Sequence, residues 1–226
     1  MRRILKGLNN KLIIPFSKIL FKFSKIKSNK IVIDNFGGKG FGDNPKYITQ
    51  ALLDSGENFD IVWLVNNLNE EMPIGVRKVK YNTISSIKEL STAKIWIDNI
   101  KNSVKPKKKT EQFYLQTWHG GLGLKAVERQ VEMSLSNKYV QAAKKDANQT
   151  DLMISDGKWT TDIFSKWFWY NGKILETGFP RNDLLVNKPL VAKKRVYSYF
   201  NLDQNKHIIL YAPTFRGNTN QVNPYS

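Results

Sequence analysis

Only two histidines, His119 and His207, occur in the 226 residues. His119 ends the largely apolar run 113–118 and is followed by Gly120 and Gly121, with Gly123 and Lys125 just beyond. A strand that stops in a tight turn and opens a helix has this pattern. Ligands of open α/β sheets collect at the carboxyl ends of the strands, and an imidazole placed there can move a proton near neutral pH. Gly120 and Gly121 let backbone approach a ligand closely, and a helix starting near Gly123 would aim its N–H groups at an anion. An isolated His-Gly pair is also what an ordinary satisfied turn looks like.

Phosphoryl transfer is the chemistry such a residue could serve. It requires an oriented hydroxyl, a base to take its proton, and positive charge on the phosphate oxygens. His119 is the candidate base. Arg181, in the turn Gly178-Phe179-Pro180-Arg181-Asn182-Asp183, and Arg216, in Pro213-Thr214-Phe215-Arg216, are the candidate phosphate ligands, because a guanidinium binds phosphate bidentately. A solvated turn arginine reads equally well at either position. Lys125 is a weaker candidate for the same task, and Asp98 or Asp43 could orient the imidazole or the acceptor. No Asp-x-Asp pair stands at a strand end, two histidines cannot build a His-rich zinc site, and cysteine is absent. Neither a metal nor a cofactor is implied, and the lack of cysteine fits a reducing compartment.

The elements that must position these residues alternate. Apolar runs at 31–36, 60–65, 76–81, 93–99, 113–118, 152–155 and 173–177 predict strands, and segments near 45–53, 83–90, 123–145, 158–167 and 189–200 predict helices. That alternation predicts a parallel, doubly wound α/β sheet. After the first strand, Gly37-Gly38-Lys39-Gly40-Phe41-Gly42 reads as a tight turn able to cradle a phosphate, although no Gly-Lys-Ser/Thr closes it as in a Walker loop. Asp43-Asn44-Pro45 then reads as a capped helix start. The lysine-rich turn 101–109 reads as a solvated loop. A further buried strand is expected at 207–212. It would open a second α/β unit cut short at residue 226, since one strand cannot make a sheet.

Charge is the strongest compositional signal. The formal net charge is +17, and residues 1–30 carry nine lysines and arginines against no acid. Over 4–26, the residues Leu5, Leu8, Leu12, Phe16, Ile19, Leu20, Phe23 and Ile26 share about a third of a helical wheel, with most of the basic residues opposite and Pro15 expected to kink the helix. No apolar run approaches the ~20 residues that span a bilayer, and no secretory signal is evident. The expectation is a basic amphipathic helix lying on anionic lipid; a helix packed on its own domain is the plainer alternative.

Five motifs occur in order: Asp43-Asn44-Pro45-Lys46-Tyr47, Ala93-Lys94-Ile95-Trp96-Ile97-Asp98-Asn99, Gln116-Thr117-Trp118-His119-Gly120, Gly178-Phe179-Pro180-Arg181-Asn182-Asp183 and Tyr211-Ala212-Pro213-Thr214-Phe215-Arg216. Together, over about residues 31–217, they resemble the CDP-glycerol glycerophosphotransferase family, the teichoic-acid primases and polymerases of Gram-positive bacteria. The resemblance implies a GT-B-type pair of Rossmann-like domains, an acceptor-side domain at 31–188 and, at 189–226, the start of a nucleotide-binding domain whose remainder is absent; the basic helix at 1–30 would precede them as a membrane-surface element. The resemblance also implies a peripheral enzyme on the cytoplasmic face of the plasma membrane. The reaction implied moves glycerol phosphate from CDP-glycerol, or a related CDP-polyol, to a lipid-linked polymer, with His119 as base. Asp43, Asn44, Asp98, Gly120, Lys125, Arg181 and Arg216 are the substrate-binding candidates, and the 226 residues alone are expected to be inactive. Where the family often continues Thr-Pro-Leu-Lys after the His-Gly pair, this chain has Gly121-Leu122-Gly123-Leu124-Lys125. A non-catalytic membrane-bound scaffold is the alternative. A nucleic-acid-binding module is less favoured, because the charge sits on an amphipathic helix rather than among aromatics on a sheet face.

Overall fold

The computed structural model describes residues 14–102, 104–121, 125–187, 189–203 and 205–211. Arg216, residues 1–13 and Ala212 lie outside them. The elements are α1 (Ile14–Leu20), β1 (Lys27–Asp34), α2 (Asp43–Asp54), β2 (Asp60–Val65), β3 (Val76–Lys80), α3 (Ile84–Thr92), β4 (Ala93–Asp98), β5 (Phe113–Gln116), α4 (Asn137–Gln149), β6 (Leu152–Ser155), α5 (Lys158–Trp167), β7 (Lys173–Glu176), α6 (Asp183–Asn187) and α7 (Pro189–Tyr199). Short 3₁₀ segments run over Glu128–Ser134 and Pro180–Asn182.

The seven strands form one sheet in the order β3-β2-β1-β4-β5-β6-β7, and every pairing is parallel. The strand order reverses between β1 and β4, which makes the carboxyl ends of those strands the switch point of a doubly wound fold. The central strands are covered on both faces, so β2 is a nearly continuous apolar run, whereas the edge strands β3 and β7 expose Arg77, Lys78, Lys80, Lys173 and Glu176. Alternation still assigns each residue a side. Ile31, Ile33, Trp63, Val65 and Ile97 pack on one face under Ile48 and Leu52 of α2. Val32, Leu64, Trp96 and Tyr114 pack on the other with Leu90 of α3. Asp34, Asp98 and Gln116 continue this second set in register and are all buried.

Two compact units divide at Asp183/Leu184. The second contains α7, where the Tyr197 hydroxyl donates to the Lys206 carbonyl. Residues 207–211 are not a strand: they join no ladder, and Ile209 and Leu210 are exposed. An apolar run takes strand form only where it finds a partner strand, and none meets it among the described residues. The helix start expected near Gly123 lies outside the described residues. The stretch before Asn137 is 3₁₀ helix, and Ser136 caps α4 by accepting the Tyr139 N–H.

Candidate functional site

Three loops meet at the switch point, within the first unit. Asn99, directly after β4, is their hub. Its side-chain amide donates to Asn35 Oδ1 at 2.8 Å and to Asp43 Oδ2 at 3.1 Å, and its Oδ1 accepts the Phe36 N–H at 2.9 Å. Its backbone carbonyl lies 2.8 Å from Nδ1 of His119. A carbonyl can only accept, so Nδ1 carries the proton, and in the neutral ring the Nε2 lone pair is unprotonated. Among the described residues nothing hydrogen-bonds Nε2. The ring is held between Trp118 and Phe36, with centroids at 4.1 and 5.2 Å.

Arg181 closes the site. Its Nη1 donates to Asp43 Oδ1 at 2.9 Å and to the His119 carbonyl at 2.6 Å, and its backbone N–H reaches Asn44 Oδ1 at 3.3 Å. Asn44 in turn donates to the Trp118 carbonyl at 3.1 Å. Gly120 faces Nη2, where an added Cβ would stand 3.4 Å away. Phe36, Asp43 and Trp118 all sit at φ near +50°. Such conformations cost about 1–3 kcal/mol each and persist where surrounding contacts over-determine them. Gly38 makes the loop above them possible: at φ +84°, a Cβ there would come within 2.9 Å of the Asn66 backbone nitrogen.

Of the residues singled out in the sequence, the structure therefore brings together His119, Gly120, Asp43, Asn44 and Arg181. Arg181 meets a carboxylate, and its Nη2 remains toward Gly120. Lys125 is exposed in a groove of about 390 Å³ with Trp159, Asp162, Lys166 and Trp167. Asp98 does not touch the imidazole directly. Strand alternation turns its carboxylate away from His119 and under the sheet, where it ion-pairs with Lys105 at 2.7 Å.

The lysine-rich turn departs from the expectation, because Lys105 is not solvated but only 3% exposed. It also lies 3.0 Å from Asp146 of α4 and 2.8 Å from the Tyr114 hydroxyl. Burial pushes its ammonium down, and the carboxylates of Asp146 and Asp98 reverse this, leaving it well above its ordinary value. Burial, with the Asp98 charge second, pushes the neighbouring Asp34 carboxyl up to about 8. The Lys101 side chain is likewise only 6% exposed, paired with Glu128 at 2.6 Å and 4.3 Å from the centroid of Phe168. Sequence reasoning overlooked Asn99, Phe36 and Lys101. For Asn99 the available signals were its place at the end of the strand run 93–99 and of the motif that spans it.

The family model for CDP-glycerol:poly(glycerophosphate) glycerophosphotransferase matches residues 16–225. The chain belongs to that family. It is 32% identical over 204 residues to a teichoic acid poly(glycerol phosphate) polymerase of Staphylococcus epidermidis, covering 86% of this chain and 28% of the relative. To the polymerase of Bacillus subtilis strain 168 it is 30% identical, over 92% of this chain and 29% of the relative. The wall teichoic acid polymerase TagF, solved as a histidine variant, superposes with TM-score 0.81 at 30% identity, covering 96% of this chain and 56% of that one. A related crystal of that variant, soaked with CDPG, gives TM-score 0.80. These likenesses bear out the α/β, GT-B-type fold that the family motifs implied. The chain spans less than a third of the length of the Staphylococcus epidermidis and Bacillus subtilis polymerases.

Proposed function

We propose that the first unit is the acceptor-side, base-bearing half of a glycerophosphotransferase. The acceptor is a teichoic-acid-type polymer end and the donor is CDP-glycerol. In this reading an acceptor hydroxyl gives its proton to Nε2 of His119 as its oxygen bonds to the glycerol-bearing phosphorus. The phosphoanhydride bond breaks and CMP leaves. The observation that carries the reading is the Asn99 carbonyl on Nδ1, which keeps the basic lone pair on Nε2. A general base so fixed is worth ~10²–10⁴ in rate. The Nη2 of Arg181 is the nearest candidate to meet a phosphate oxygen, Asn44 and Asp43 hold that arginine, and Gly120 keeps the approach open. Lys125 and Arg216 are further candidates for the anionic substrates.

The test is a chimera in which this chain replaces the matching segment of the Bacillus subtilis polymerase, supplied with CDP-[¹⁴C]glycerol and a lipid-linked acceptor. Label should pass to the acceptor with one CMP released per glycerol phosphate. CMP release that does not need the acceptor would refute the assignment.

A membrane-surface role is part of the proposal. In α1, Ile14 and Ser17 are buried, whereas Phe16, Ile19, Leu20 and, just beyond, Phe23 are exposed. Phe23 is 88% exposed. An exposed apolar stripe with Lys22 and Lys25 beside it suits the interface of an anionic bilayer, where each lysine contributes ~1 kcal/mol. A peripheral position at the cytoplasmic face goes with this reading. No helix among the described residues is long and apolar enough to cross a membrane.

A further inference from the structure

We infer that Asp98 is a positioning residue for His119, acting through the Asn99–Ile100 peptide. This rests on the reading of His119 Nε2 as the base. The carbonyl that accepts the Nδ1 proton belongs to Asn99, and the N–H on the other side of that same peptide bond belongs to Ile100. That N–H donates to Asp98 Oδ1 at 3.0 Å. A peptide is planar and stiff, so fixing its N–H fixes the direction of its C=O. A carboxylate on the N–H also polarises the carbonyl, and hydrogen bonds coupled in this way strengthen one another by perhaps 10–30%. The outcome matches a carboxylate placed directly on a catalytic histidine, with one peptide group interposed.

Strand geometry explains the detour. Asp98 follows Trp96 on the buried face of β4, so its side chain cannot reach over the sheet edge to the imidazole. The peptide after it does. A carboxylate that accepts the N–H two residues on is common in turns, and an asparagine at the surface would serve such a turn. This one is 1% exposed. Its Oδ2 is held by the Lys105 ammonium at 2.7 Å, and Lys105 is held in turn by Asp146 at 3.0 Å.

The neighbouring backbone is braced from the same cluster. Gln116 donates to the Ile100 carbonyl at 3.0 Å and accepts the Trp118 N–H at 2.9 Å. The Thr117 N–H bonds the Asp98 carbonyl at 2.9 Å. Burying Asp98, Asp146 and Lys105 together beside the protonated Asp34 is costly, and the use best attested for such buried charges is to enforce one conformation. Here the conformation enforced is the one that presents a carbonyl to Nδ1.

The test reads the ring itself, in the ¹⁵N-labelled chain. In the wild type, nitrogen shifts should show neutral His119 protonated on Nδ1 alone, and the Ile100 amide should be strongly protected from exchange. Asp98→Ala combined with Lys105→Met removes both charges of the pair. This variant should lose Ile100 protection and show both tautomers of His119, whereas Asp98→Asn, which keeps an acceptor oxygen, should retain the Nδ1-protonated form. In the chimera, the double variant should lower kcat by up to ~10²-fold with KM for CDP-glycerol within about two-fold.

A folded double variant that keeps a single Nδ1-protonated tautomer would overturn the inference. If the variants do not fold, the wild type decides alone: an unprotected Ile100 amide, or a His119 proton on Nε2, overturns it. A wild-type chimera without transferase activity but with the expected tautomer and protection would refute the functional reading and leave the positioning intact.

Discussion

Replacing Arg181 by methionine tests whether the site is assembled by its contacts. The guanidinium reaches Asp43 at 2.9 Å and the His119 carbonyl at 2.6 Å through the same Nη1. Hydrogen bonds to charged groups contribute about 1.5–3 kcal/mol each. Because one nitrogen makes both, and the arginine side chain is a third exposed, the sum is discounted to ~2–3 kcal/mol. Asp43 is not left bare, since it still accepts from the Asn44 N–H and from Asn99. With a urea m-value of ~2 kcal/mol/M, the midpoint should fall by about 1–1.5 M. Tryptophan fluorescence reads this cleanly, because all six tryptophans lie before Asp183. Arg181→Lys should recover part of the loss but not the two-way contact. A cycle with Asp43→Asn should show coupling of at least ~0.5 kcal/mol. An unchanged midpoint in Arg181→Met would mean that the contacts do not hold the site.

Gly38→Ala should destabilise by roughly 2–4 kcal/mol in urea unfolding, since the left-handed backbone alone costs about 1–2 and the Cβ would overlap Tyr81 and Asn66. Asp34 should tilt the pH dependence of stability. Between its ordinary 3.8 and about 8, the folded chain keeps a proton that the unfolded chain has lost. Stability from this group therefore falls as pH rises across that window and levels above it. Asp34→Asn should remove the fall, as scanning calorimetry at several pH values will show. Flotation with vesicles containing phosphatidylglycerol should drop when Phe16, Ile19 and Phe23 are changed to serine, or when salt is raised; equal flotation would contradict the membrane proposal.

Much of this architecture is legible in the sequence. The runs at 60–65 and 152–155 and the segment 158–167 are bounded by turn residues and adopt the elements their patterns predict. Of the five ordered motifs, the first opens α2, the second is β4 with Asn99, the third runs out of the end of β5 and the fourth is the turn after β7, while most of the last lies outside the described residues. Lys105 was illegible because its partners Asp34, Asp98 and Asp146 are brought together only by β1, β4 and α4, and local composition there resembles a solvated turn. The direction of Asp98 was legible, since period-two alternation pairs it with Trp96. Of the helix expected over 123–145, the described part is 3₁₀ helix over Glu128–Ser134 and α-helix only from Asn137. At 207–211 the apolar pattern is a strand's, but a strand is completed by a neighbour that sequence does not reveal.

Single-turnover transfer by the chimera, with His119 against His119→Asn, shows whether His119 takes the acceptor proton. Asparagine keeps a polar side chain of similar reach but cannot take a proton near neutral pH. CDP-glycerol should still bind, with an affinity within a few-fold of wild type, while the rate of CMP formation falls by ~10²–10⁴. Transfer by His119→Asn at a near wild-type rate would contradict this, and would make His119 a structural part of its turn.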